Sequence, residues 1–172
     1  MDLWGEEVTS VEEAFRLIAV EEGGVGDNHD GKGTTYYGQT LDWLKSYGLP
    51  IPQSPEQAMS NWSVWAAKTK LDQLAAPTFD ELLHIVLDYA VHSGSFQAIK
   101  SLQCALRVNA DGVIGPQTIA ALGKSNRNSI AHGVIAASME LQGIIITKHP
   151  DVNAKFAEDW AARNARMVRR LA

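Results

Sequence analysis

The sequence is poor in cysteine and lacks the hydrophobic segments that direct a chain into or across a membrane. Cys104 is its single cysteine, so an internal disulfide is excluded and nothing in the fold requires an oxidising compartment. Residues 1–7 are acidic and contain no apolar core, and no apolar run approaches the length of a membrane span. The sequence therefore predicts cytoplasmic synthesis without a signal peptide and no integral membrane segment.

Composition and charge narrow the class of protein further. A chain of 172 residues with 45% hydrophobic residues is long and apolar enough to form one ordinary globular domain, which we predict to be a monomer. Its net charge of −5 argues against a general nucleic-acid binder. The exception is an arginine cluster near the C-terminus, which we interpret as a solvated helix end or, alternatively, as a surface that attracts anionic envelope polymers. The cluster consists of Arg163, Arg166, Arg169 and Arg170.

The first predicted helix ends on a carboxylate. A capping-box pattern at Ser10–Glu13 predicts a start near residue 11, and the apolar stripe through Phe15 and Ile18 has Glu22 as its next position. A carboxyl group at the end of a buried stripe is partly desolvated, and a helix C-terminus disfavours negative charge. Both effects favour the protonated form that a general acid needs, which makes Glu22 a candidate catalytic residue.

A hairpin is predicted directly after this helix. The Asp30-Gly31 pair is a turn signal, and residues 34–37 form a short β-prone run that ends at Gly38. If the hairpin folds back over the helix end, Asp30 and Thr35 approach Glu22. An acid, a second carboxylate and a hydroxyl around one cleft can support glycoside hydrolysis by water attack.

Farther along, one predicted helix is apolar on nearly every face. The segment 82–91 leaves almost no polar side, which is typical of the buried centre of a helical domain. Its polar exceptions His84, Asp88 and His92 span only about 80° of the helix circumference. We considered a metal site, but ligands from a single helix rarely complete a tetrahedron, so no metal and no cofactor are predicted. Polar groups that line a cleft or bond to neighbouring backbone are the preferred interpretation.

The remaining helices follow from caps and apolar spacing. A helix from Pro55 to about Ala76 carries Trp62 and Trp65 on one face, where core packing is favoured over sugar stacking. Ser129 is predicted to cap a long apolar helix containing Gly133 and Gly143, where glycines indicate close helix packing. The fold class is thus mainly α, with a small β-hairpin after the first helix and a buried central helix.

Two stretches of the chain resemble a known family. The first is Glu22–Gly24 followed by Asp27-x-x-Asp30-x-x-Gly33-x-Thr35-x-x-Gly38; the second is Asp88–Gly94 followed by Leu102-Gln103 and the loop 111–118. Together they resemble glycoside hydrolase family 108, the muramidase-like lysozymes of phage endolysins and bacterial secretion-associated proteins. The chain departs from that family at several positions, including His92 in place of asparagine and Gln39 in place of isoleucine.

The resemblance implies a lysozyme-like helical fold with a catalytic lobe at residues 1–92 and a helical peptidoglycan-binding lobe at 93–172, packed as one compact unit. It implies N-acetylmuramidase activity on bacterial cell-wall peptidoglycan, with Glu22 as general acid and with Asp30 and Thr35 in supporting roles. The candidate substrate contacts are Tyr36, Tyr37, Asp88 and His92.

Two other functions stay open. One is a lytic transglycosylase, which acts on the same substrate but needs no water-activating carboxylate; the other is a peptidoglycan-binding or secretion-accessory protein without turnover. In each case the chain would act in the periplasm or cell wall, and a holin or a secretion system would have to release it from the cytoplasm.

Overall fold

The structure is a computed structural model that describes residues 10–22, 25–27, 34–76 and 80–172; at 20–22 and 25–27 the description covers the backbone alone. Its longer helices are α1 (Ser10–Glu22), α2 (Leu41–Tyr47), α3 (Pro55–Thr69), α4 (Glu81–Ser93), α5 (Ser95–Leu106), α6 (Pro116–Leu122), α7 (Arg127–Lys148), α8 (Pro150–Asn153) and α9 (Ala157–Arg170). Short 3-10 turns span Leu71–Leu74 and Ala154–Phe156. The strands are β1 (Val25–Asp27), β2 (Thr34–Tyr36) and β3 (Gln39–Thr40), which pair antiparallel in the order β1-β2-β3.

The predicted fold class is confirmed, because the chain is mainly helical and its antiparallel strands follow the first helix. The start of α1 lies one residue from the predicted position. The central helix is also confirmed, since every residue from Leu82 to Ala90 is buried. The chain divides into two compact units, Met1–His84 and Ile85–Ala172. That the predicted lobes pack as one compact unit stays a prediction.

Aromatic rings form the core of the first unit. Trp62 and Trp65 are 1% and 0% exposed, which confirms the core interpretation of the α3 stripe. Phe15 of α1 stacks on the Trp62 ring with 5.5 Å between the ring centroids. On the other side, Trp43 of α2 meets Trp65 edge to face at 5.5 Å. The contacts of these two rings hold α1, α2 and α3 together.

Helix α3 is shorter than predicted. It ends at Thr69, where Lys70 takes a left-handed conformation with φ of 62° and its N–H bonds back to the Ala66 carbonyl. A 3-10 turn then carries the chain through Leu71 and Leu74, both buried. Lysine is not a preferred left-handed cap, so the local sequence carried no stop signal before Pro77.

Gln39 ties the sheet to α3. Its amide nitrogen donates to the Ala58 carbonyl at 2.7 Å, and its amide oxygen accepts from Asn61 at 2.9 Å. Asn61 also donates to the Pro50 carbonyl at 2.8 Å. Gln39 is 1% exposed, so a glutamine at this position is buried with its polar atoms satisfied.

The second unit is built around the contact of α5 with α7. A Cβ on Gly133 would lie 2.9 Å from the Ala105 side chain, which confirms that this glycine permits a close helix approach. At Gly143 a Cβ would meet no atom of the described residues within 4 Å, so within that part of the chain this glycine makes no close helix contact. The cap of α7 also differs from the prediction: Asn126, not Ser129, is the N-cap, and its side chain accepts from the Ser129 N–H at 2.9 Å.

By length and composition alone, α7 could cross a membrane, and 28% of its most apolar window is buried. One such helix is weak support for a span, because the core helix of a soluble protein passes the same test. The predicted lack of an integral membrane segment stays a prediction.

Candidate functional site

The catalytic candidates of the first unit lie at the end of α1 and in the segment that follows it. Glu22 is the last residue of α1, and β1 begins three residues later at Val25. Of the predicted stripe Val11, Phe15 and Ile18, the last two are 0% exposed, which confirms their burial, and Val11 is partly exposed. The Glu22 side chain and the whole of Asp30 lie outside the described residues, so their predicted roles stay predictions.

Thr35 lies at the centre of the sheet. Its Cα is opposite Gly26 of β1 on one side and opposite Thr40 of β3 on the other. Directly paired residues of antiparallel strands have Cα atoms about 4.5–5.5 Å apart. The pairing therefore places Thr35 beside Gly26 of β1, the strand that follows α1. Gly26 is four residues after Glu22.

Tyr36 and Tyr37 lie at the tip of the β2–β3 hairpin. Tyr36 pairs with Gln39, so Tyr37 and Gly38 form a two-residue loop. Their φ angles of 52° and 79° are both positive, as a type I′ turn requires. A non-glycine residue in this conformation is uncommon, and here the tight turn imposes it on Tyr37. Both tyrosines are partly exposed, as a substrate contact would need.

Asp88 and His92 belong to the second unit, on α4. The Asp88 side chain is 1% exposed, and Arg163 of α9 donates to its Oδ1 at 2.8 Å. The same guanidinium nitrogen lies 2.9 Å from His92 Nδ1, which is also 2.6 Å from the Asp88 carbonyl oxygen. Arginine can only donate, so His92 accepts from it in one tautomer and donates to the carbonyl in the other. These contacts give both residues a structural role, and substrate binding by them stays a prediction.

Arg163 is thus not simply part of a solvated helix end, as the arginine cluster suggested. Its side chain is 17% exposed and forms an ion pair with a carboxylate 75 residues away in sequence. A signal was present in the helical spacing, because Arg163 is four residues before Met167, which is 0% exposed. A cation on the buried face of a helix calls for a partner.

A series of buried hydrogen bonds begins at Tyr89 of α4, the residue next to Asp88. The Tyr89 hydroxyl donates to the amide oxygen of Asn164 in α9, and Asn164 donates to Gln142 of α7 at 2.7 Å. Gln142 in turn lies 3.4 Å from the Ser138 hydroxyl. Burial raises the pKa of Tyr89 to about 12, so its hydroxyl keeps its proton and acts as a donor. These hydrogen bonds join α4, α7 and α9, and every side chain in the series is uncharged.

The loop between α5 and α6 is braced by one buried amide, that of Gln103. Its nitrogen donates to Asp111 Oδ1 at 2.8 Å, to the Val113 carbonyl at 3.0 Å and to the Thr118 hydroxyl at 3.2 Å. Its oxygen accepts from the Gly112 N–H at 2.8 Å. The Leu102-Gln103 and Asp111–Thr118 elements of the sequence motif therefore meet in space. Hydrogen bonds from Gln103 and from the Val113 N–H lower the pKa of Asp111.

Replacing this amide should loosen the loop. We expect Gln103→Leu to lower the free energy of unfolding by about 2 kcal/mol, because Gly112 and Thr118 would lose buried partners that water cannot replace. Urea denaturation followed by circular dichroism measures this change. Gln117→Leu, at an exposed position on α6, is the matched control and should stay within about 0.5 kcal/mol of the wild type.

The same bonds predict a pH dependence. A carboxyl whose pKa is lowered on folding contributes stability that is present above its unfolded pKa and lost as pH falls through its folded pKa. The wild type should therefore lose more stability on acidification than Gln103→Leu, in which the first cause of the shift is absent. An identical loss in both proteins would contradict the assignment of Gln103 as the brace.

A metal site has no support within the part of the chain that the structure describes. No group of three or more His, Cys, Asp or Glu side chains there is arranged to hold a metal ion. The His84, Asp88 and His92 series on α4 is among these residues, and Asp88 is instead paired with Arg163.

Comparison with known proteins relates this architecture to the bacterial cell wall. A family model described as a predicted peptidoglycan domain matches residues 97–165. The solved structure of Brucella abortus SagA is similar to the whole chain, with 28% sequence identity, a TM-score of 0.76, and coverage of 94% of this chain and 93% of that one. No curated protein matches the chain significantly. These findings support a peptidoglycan-related helical protein, with peptidoglycan as a partner.

Proposed function

We propose that this protein is an N-acetylmuramidase that cleaves the bond between N-acetylmuramic acid and N-acetylglucosamine in peptidoglycan. The observation that carries the proposal is that Glu22 is the last residue of α1. The pairing of β1 with β2 places Thr35 opposite Gly26, which is four residues after Glu22. The resemblance to glycoside hydrolase family 108, in which the glutamate of the Glu-Gly-Gly motif is the catalytic acid, supports the same assignment.

The site chemistry follows from two carboxyl groups with different tasks. Glu22 gives its proton to the glycosidic oxygen that leaves with N-acetylglucosamine. Asp30, positioned with Thr35, takes a proton from the attacking water as the water oxygen bonds to C1 of N-acetylmuramic acid. The helix C-terminus disfavours a charged carboxylate and thereby keeps Glu22 ready to donate.

The remaining candidates would hold the sugar chain. Tyr36 and Tyr37 are partly exposed at the hairpin tip, where an aromatic ring can pack against a sugar. Asp88 and His92 would act through Arg163, which contacts both of them, since the Asp88 carboxylate is itself buried. The substrate lies outside the cytoplasmic membrane, so the protein would act in the periplasm or cell wall after release by a holin or a secretion system.

Product chemistry tests the reaction. Purified sacculi are incubated with the full-length protein, and the soluble products are analysed by mass spectrometry. A muramidase releases muropeptides with a reducing-end muramic acid and incorporates one ¹⁸O atom from labelled water at that end, because water is the nucleophile.

Two outcomes would replace the proposal. Anhydro-muramic products without ¹⁸O would make the protein a lytic transglycosylase, in which Asp30 has no water to activate. If the protein sediments with sacculi but releases nothing, it is a binding protein; this candidate is favoured by the family match, which covers residues 97–165 and excludes Glu22.

A further inference from the structure

The braced loop between α5 and α6 carries an exposed apolar surface. Phe96, at the start of α5, is 54% exposed, and Val113, in the loop, is 57% exposed. We call this surface, formed by Phe96, Lys100, Gly112 and Val113, the Phe96 patch. The Phe96 ring lies against Gly112, which directly precedes Val113 in the chain, so the two exposed apolar residues meet at this loop; exposed apolar patches are typical of binding surfaces.

The patch is rigid, because its two sides are locked together. Gly112 has a φ of 75°, and a Cβ at this position would overlap the Phe96 ring, so the ring lies directly against the loop backbone. Gln103 holds the same backbone from the buried side through Gly112 and Val113. A ligand would therefore bind to a surface that is already ordered, so little conformational entropy would be lost on binding.

The patch also has a charge preference. The Lys100 ammonium lies over the Phe96 ring, 5.4 Å from its centroid. The Asp111 carboxylate is negatively charged and is held to the loop, because its Oδ1 accepts from Gln103 and from the Val113 N–H; the charge that lies over the ring is that of Lys100. The side chain over the ring therefore offers a cation to an anionic ligand, beside apolar groups that suit methyl substituents.

We propose that the Phe96 patch binds the stem peptide of peptidoglycan, with alanine methyl groups on Phe96 and Val113 and a peptide carboxylate on Lys100. This deepens the proposed function, on which it rests for the substrate. The stem peptide is favoured over the glycan strand because the peptide carries a carboxylate that can pair with the Lys100 ammonium beside the ring. The glycan itself carries no carboxylate once the lactyl group is joined to its peptide.

The test compares binding to two polymers. The full-length protein is sedimented at 4 °C with purified sacculi, and its binding to soluble glycan strands freed of peptides by an amidase is measured separately. We expect at least about tenfold weaker binding to the stripped strands, which is the loss typical of one or two central contacts. Equal affinity for both polymers would overturn the proposal.

Variants locate the contact on the surface. Lys100→Gln and Val113→Ala should each weaken sacculus binding about five- to tenfold. Their matched controls are Lys124→Gln and Val152→Ala, which change an exposed lysine and a valine that is 61% exposed elsewhere in the second unit. Unchanged affinity in both patch variants, or an equal loss in the controls, would overturn the proposal. Lys100 is partly exposed and Val113 is 57% exposed, so neither substitution removes a buried side chain and the variants should fold as the wild type does.

The two proposals can fail separately. If muropeptides with reducing ends are released but the patch variants bind normally, the proposed function stands and the stem-peptide site is wrong. If nothing is released but binding needs the stem peptide and Lys100, the enzyme assignment is wrong and the patch is the binding site of a non-catalytic protein. If the wild type binds neither polymer, the patch proposal is overturned.

Discussion

Glu22→Gln is expected to reduce the rate of sacculus cleavage by about 10²- to 10⁴-fold, because glutamine has the shape of glutamic acid but cannot protonate the leaving oxygen. Release of labelled muropeptides per unit time measures the change. Glu22 ends a helix whose preceding apolar residues, Phe15 and Ile18, are fully buried, and this substitution leaves them untouched.

Glu21→Gln is the matched control. It removes the same charge from the neighbouring residue, whose position along the helix is rotated by about 100° from that of Glu22. We expect near wild-type rates from this variant, with unfolding midpoints of both variants close to that of the wild type. A well-folded Glu22→Gln protein that retains its rate would contradict the assignment, and an equal loss from Glu21→Gln would show that charge near the helix end, not a specific proton donor, matters.

Arg163→Met should destabilise the second unit by about 3 kcal/mol, because it removes the cation that lies 2.8 Å from the buried Asp88 carboxylate. Methionine keeps much of the arginine stem, so lost packing contributes little. The Arg163 side chain is 17% exposed and the Asp88 side chain is 1% exposed. Water would therefore hydrate the Asp88 carboxylate poorly after the substitution. Urea denaturation at pH 7 measures the loss.

A double substitution separates the charge effect from packing. Adding Asp88→Leu to Arg163→Met removes the stranded charge, and replacing a buried pair by apolar side chains is often nearly neutral. The double variant should therefore recover part of the loss. Arg169→Ala, exposed on the same helix, should change stability by less than about 0.5 kcal/mol. If Arg169→Ala costs as much as Arg163→Met, the buried ion pair is not the source of the effect.

Helix positions were predictable wherever the decisive interaction is local. Thr40 caps α2 by accepting from the Trp43 N–H, as threonine commonly does at an N-cap. Gly48 ends α2 in a left-handed conformation, as glycine commonly does after the last turn of a helix. Ser54 caps α3 in the same way. Where several candidates stand close together, as with Asn126 and Ser129, composition does not choose between them, and the backbone geometry of α7 decides.

Contacts between distant segments were less predictable. Arg163 was interpreted from its arginine neighbours, yet in the folded unit it donates to Asp88, 75 residues away in sequence. Gln103 was recognised as part of a motif without a physical role, and its role appears only when the α5–α6 loop folds back over it. In both cases a polar side chain is satisfied by an atom that the local sequence does not specify.

By itself, the sequence determined that this protein is a mainly helical domain with a buried α4, antiparallel strands after α1, and a carboxylate at the end of the α1 stripe. These features depend on a helical period of 3.6 residues and on turn and cap residues that act within a few positions of the chain. Only the tertiary structure decided that Arg163 neutralises Asp88, that Gln39 joins β3 to α3, and that Gln103 braces the loop under Phe96. A buried polar group must find a partner wherever packing brings one within hydrogen-bonding distance, and that partner can lie anywhere along the chain.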